Sequence, residues 1–91
     1  RQYLRKYASY QLIVIDLTDA HLVGTSTAMI LDELVRTEIS NAREIYLVGV
    51  SEKAAANLSR LGTLDYLGYD RIFSSMTDAM DCADKVLKPV N

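Results

Sequence analysis

The sequence predicts an α/β fold in which a mostly parallel sheet is flanked by helices. Two apolar runs of strand length, "QLIVIDL" from residue 11 and "EIYLVGV" from residue 44, are continuous rather than alternating, as strands buried on both faces are. Each is followed by a stretch with the 3.6-residue period of an amphipathic helix. Strand, helix, strand, helix in that order builds βαβ units with right-handed crossovers.

Taken in chain order, residues 2–9 read as a helix, with Tyr3, Leu4, Tyr7 and Ala8 on one stripe. "QLIVIDL" is the first strand and gives way to the polar Asp16, Thr18 and Asp19. From Thr25 the period changes, and Ala28, Leu31, Leu34 and Val35 recur on one face for about a dozen residues, until "TEISNAR" breaks the pattern. The second strand runs into Gly49, a residue that lets backbone approach a neighbour closely. Ser51 caps the helix of "EKAAANLSRL", and Gly62 stops it. A short loop leads to a brief strand around Arg71 to Ser74. Ser75, with Asp78 three residues on, resembles a capping box for a last helix from Thr77 to Leu87 that Pro89 closes.

Because the first ten residues read as helix, residues 1–91 are taken as a single domain from which the strands that would normally precede them are missing, a truncation at the N-terminal side. The edge of "QLIVIDL" left open by that truncation is expected to pair with another copy or with extra strands.

Composition removes several function classes. The 91 residues suffice for one small core. A formal charge of −2 offers no basic footprint for nucleic acid. The basic run Arg1, Arg5 and Lys6, interleaved with Tyr3, Tyr7 and Tyr10, reads as the solvated flank of an amphipathic helix. Cys82 is the single cysteine, so no internal disulfide forms; its phase with Ala79, Ala83 and Val86 predicts a buried, inert thiol. The lone His21 falls in the turn after a strand, with no second histidine to build a metal site or a triad. No apolar run reaches the roughly 18 residues that span a bilayer.

Asp16 and Asp19 lie at a strand end, where α/β folds place ligands. No nucleophile–base pair or metal cluster accompanies them, so neither catalysis nor a cofactor is expected, and Asp16 is assigned to accepting hydrogen bonds from the following turn.

The junction Gly24-Thr25-Ser26-Thr27 opens the first long helix. Backbone N–H groups there have no intrahelical partner, so the hydroxyls have three candidate roles. Thr25 or Ser26 can be the N-cap, which is the first choice. Ser26 can accept a phosphate, or Thr25, Ser26 and Thr27 can meet an anion or a partner protein.

The stretches "YQLIVIDLTDAHLVGTSTAMILDEL", "REIYLVGVSEKAAANLSRLGTLDYL" and "RIFSSMTDAMDCA" together resemble a STAS domain (sulphate transporter and anti-sigma factor antagonist) from about residue 10 to residue 87. The shared features are an Asp-Leu strand end, a hydroxyl-rich helix start, the "LVGVS" strand, a helix ending in L-x-x-L-G and a final I-F-x-S-x-x-x-A segment. Free-standing antagonists resemble Asp-Ser-Ser-Gly at the helix start, with the second Ser phosphorylated by a partner kinase. Ser26 holds that acceptor position here, but Gly24 and Thr27 stand where the Asp and Gly would be.

Such a junction is more similar to those of the carboxy-terminal STAS domains of SulP-type anion transporters, bicarbonate carriers in particular. The resemblance implies a non-catalytic regulatory domain at the cytoplasmic face of the inner membrane. Its partners would be the transmembrane domain of the same bicarbonate or sulphate transporter, and a second copy in a homodimer. The alternative is a free-standing anti-sigma factor antagonist switched by phosphorylation at Ser26, with a kinase as its partner; a nucleotide is a further candidate ligand.

Overall fold

In the computed structural model, residues 1–6, 11–20 and 24–87 are described. Four strands form one sheet in the order β1 (Gln2–Lys6), β2 (Gln11–Asp16), β3 (Glu44–Val48) and β4 (Ile72–Phe73). β2, β3 and β4 run parallel, whereas β1 is antiparallel to β2, with Tyr3 opposite Val14 and Arg5 opposite Leu12. The predicted mostly parallel sheet flanked by helices is therefore present.

The helix expected over residues 2–9 is not found where it can be checked. Gln2–Lys6 is a strand with every residue exposed. Tyr7, Ala8 and Tyr10 lie outside the described residues, as do His21 and Pro89. The spacing of Tyr3 and Leu4 fits a helical stripe, but β2 offers an unfilled row of backbone donors and acceptors. Pairing with it satisfies those groups, and this outweighs the weak local preference. The edge of β2 expected to stand open is accordingly covered by β1 of the same chain.

Alternate residues of each central strand feed two cores, one on each face of the sheet. Ile13, Ile15, Ile45 and Leu47 pack against helices α1 (Thr25–Ser40), α2 (Glu52–Arg60) and α3 (Thr63–Leu67). Leu12, Val14, Tyr46 and Val48 pack against α4 (Met76–Val86) through Ala79 and Ala83. Burial on both faces is what the unbroken apolar runs required.

In α1 the buried positions are Ala28, Leu31 and Val35; Leu34 is half-buried beside them. This is the predicted phase. The helix is longer than expected, because "TEIS" continues it to Ser40. What ends it is Asn41, whose N–H bonds back to Thr37 and Glu38, followed by Ala42 at φ 62°.

Ser51 caps α2 by accepting from Ala54 N at 3.1 Å. Ser75 caps α4 by accepting from Asp78 N, also at 3.1 Å. Gly62, at φ 76°, ends the α2 segment, as its composition predicted. The loop expected next contains the five-residue α3 and a single 3-10 turn at Tyr69–Arg71 before β4.

Candidate functional site

Parallel strands send their following helices from one edge of the sheet, and in an α/β fold that edge is where ligands and partners gather. Here α1, α2 and α4 all begin at the carboxyl ends of β2, β3 and β4. The loop from β2 to α1 carries the residues singled out by the sequence.

Asp16 closes β2 and turns the chain. Its Oδ1 accepts from Thr18 N at 2.9 Å and from Thr18 Oγ1 at 2.6 Å. These two bonds hold its carboxyl below the usual range, so the expected local role is the observed one. Asp19 is exposed in the turn beside Thr18.

Gly49 supplies the floor of this loop. It sits at φ 71°, and a Cβ there would collide with Thr18, whose Cα would lie 2.9 Å away. Leu17 N donates to Val48 O at 2.8 Å and Gly49 N to Phe73 O at 2.9 Å, so three strand ends are laced together beneath the loop. The close approach expected at Gly49 is with Thr18.

At the start of α1 the capping assignment changes. Gly24 is the N-cap, extended at φ −68° and ψ 175°, and no side chain caps the helix. Neither Thr25 nor Ser26 is the cap, because the helix begins one residue earlier than a hydroxyl cap would require. Thr25, Ser26 and Thr27 are instead the first three helical residues, and all three are exposed. The first turn holds no acidic side chain, whereas α2 has Glu52 there and α4 has Asp78. The positive end of the α1 dipole is thus left without a compensating charge from its own first turn.

One helical turn beyond Ser26, Met29 and Ile30 are 56% and 68% exposed. With Glu33 they lie on the face of α1 opposite the buried Ala28, Leu31 and Val35. The structure thus brings a serine hydroxyl, two apolar side chains and the positive end of a helix onto one outward surface. Sequence reasoning missed Met29 and Ile30. The available signal was that both fall off the buried stripe.

The other candidates lie elsewhere. Cys82 is half-buried rather than fully buried: it stands at the flank of the Ala79–Ala83 stripe, with Sγ 3.8 Å from the Tyr46 hydroxyl. Burial, and secondarily the neighbouring thiol, pushes the Tyr46 phenol up, so it stays protonated. Among the described residues no group of three His, Cys, Asp or Glu side chains is placed to hold a metal ion. No described helix is long and apolar enough to cross a membrane.

The fold is that of a small α/β domain. A family model for the STAS domain matches residues 1–79, and the chain belongs to that family, whose role is regulatory or binding. The match begins at residue 1 and so takes in β1, and it ends at residue 79, within α4. No curated protein matches the chain.

Proposed function

We propose that this chain is the cytoplasmic regulatory domain of a SulP-type membrane anion transporter, of the bicarbonate or sulphate kind. It acts without catalysis, by docking the outer face of α1 onto the transmembrane domain of the same protein. The observation that carries the reading is the exposure of Met29 and Ile30 beside a start of α1 whose own first turn holds no acidic side chain. Apolar surface at a polar helix terminus suits contact with protein. Gly24 and Thr27, in place of the Asp and Gly of the switch proteins, support the transporter setting.

A second reading has an observation of its own. Ser26 is exposed at the second helical position, within reach of a kinase. A phosphate beside Met29 and Ile30 suits the helix dipole but makes an apolar contact costly to form. On this reading the chain is a free-standing anti-sigma factor antagonist, released from its partner by phosphorylation.

Fractionation of cells expressing the full-length gene product separates the two. The transporter reading expects the protein in the membrane fraction, with Ser26 unmodified after incubation of the lysate with ATP. Recovery in the soluble fraction with stoichiometric phosphate on Ser26 overturns it in favour of the switch.

A further inference from the structure

α1 carries the acidic side chains Asp32, Glu33 and Glu38, and the fold provides a cation for two of them. Arg36 Nε lies 2.9 Å from Asp32, and Arg43 Nη1 lies 2.8 Å from Glu38. Among the described residues no ion pair involves Glu33, which is exposed. It stands one turn beyond Ile30 and one turn before Thr37 on the outward face. Arg36, the single basic residue of α1, is held away from that face by Asp32, the Leu61 carbonyl and the Tyr66 ring.

The outward face of α1 therefore has a direction. It runs from the positive helix start at Ser26, through the apolar Met29 and Ile30, to the carboxylate of Glu33, about 10 Å along the axis. Beyond Glu33 the exposed side chains of the helix are the uncharged Thr37 and Ser40.

Given the docking of α1 proposed above, we propose that Glu33 pairs with a Lys or Arg at the cytoplasmic end of a membrane-spanning helix, and that this pair fixes the orientation in which α1 docks. The occupant follows from charge and polarity together. Helices that span a membrane are apolar up to the interface and are followed on the cytoplasmic side by Lys and Arg. An apolar patch with a cation about one turn away is the complement of Met29, Ile30 and Glu33. The reversed approach places the cation over the positive start of α1 and sets Glu33 against apolar side chains, so one orientation is favoured. The pair lies at a partly exposed rim, where charge contributes more to orientation and encounter than to affinity.

Photo-cross-linking from position 30 of the full-length protein, in inside-out vesicles of its native membrane, tests the pair when the adduct is mapped by mass spectrometry. In the unsubstituted chain the adduct is expected at the cytoplasmic end of a membrane-spanning helix, within about one turn of a Lys or Arg. Glu33→Gln is expected to lower the yield about two- to fivefold at low salt, and Glu33→Lys to lower it further. Raising the salt from about 50 mM to about 500 mM should lower the yield of the parent chain and leave that of Glu33→Gln little changed. Replacing the mapped Lys or Arg by Glu should restore the yield in the Glu33→Lys chain. Glu33 is exposed and outside both cores, so these variants fold.

An adduct on a peptide without Lys or Arg, an undiminished yield in both Glu33 variants, or a loss in Glu33→Lys that charge reversal at the mapped residue does not restore overturns the role of Glu33 while the docking of α1 stands. Absence of any adduct to the membrane-spanning part overturns both.

Discussion

Thr63 Oγ1 donates to Asp32 Oδ1 at 2.6 Å, joining the first residue of α3 to the middle of α1. Thr63 is fully buried, so its hydroxyl requires a partner. Asp32 also accepts from Arg36 Nε at 2.9 Å. Arg36 in turn donates to Leu61 O at 3.2 Å and lies 4.5 Å from the centroid of the Tyr66 ring. This network fixes the three helices of one face relative to one another, and so holds the outward face of α1 in place.

Burial raises the Asp32 pKa, but the bonds from Thr63 and Arg36 outweigh it and hold the group below its ordinary 3.8. A carboxyl depressed on folding contributes stability that is complete above the unfolded value and lost as pH falls through the folded one. Asp32→Asn should therefore be less stable than the parent chain at neutral pH, with the gap closing below about pH 4. Urea unfolding at pH 7 and pH 3 checks this; a constant gap would show that the carboxylate charge is unimportant.

Gly49→Ala should destabilise the fold by about 2–4 kcal/mol, combining the left-handed backbone with the collision at Thr18. Thr18→Ala in the same chain should recover only part of the loss, because the Thr18 Cα is itself too close. Full recovery would place the conflict in the hydroxyl alone.

Ala42, at φ 62°, is the one non-glycine described residue in the left-handed region, and it follows the end of α1. Ala42→Gly should raise stability by about 0.5–1 kcal/mol, the steric relief exceeding the added chain entropy. A thermal melt that moves downward would contradict this.

Much of this architecture was legible in the residues. β2 and β3 announce themselves because strands buried on both faces must be apolar throughout, and α2 and α4 because serines at their starts cap them. β1 was hidden for the converse reason. An edge strand with every residue exposed has no alternation to display, and its structure comes from pairing with β2. α3 is only a turn and a half between Gly62 and Gly68, too short for periodicity to register. At the site, the hydroxyl cluster was visible but its role was not, since the N-cap falls on Gly24, which has no side chain to reveal it. Glu44 and Arg71, an ion pair between the starts of β3 and β4 that raises the Arg71 pKa, were equally silent, because nothing in the spacing of 27 residues foretells parallel register.

The docking of α1 is tested most directly by photo-cross-linking from position 30 in the full-length protein in its native membrane. Ile30 is exposed and outside both cores, so a photoreactive residue there leaves the fold intact. The result expected is an adduct to the membrane-spanning part of the same protein, reduced by Ser26→Asp, since an anion beside Met29 and Ile30 opposes an apolar contact. An adduct to a soluble kinase, or no adduct to the membrane-spanning part, would contradict the account.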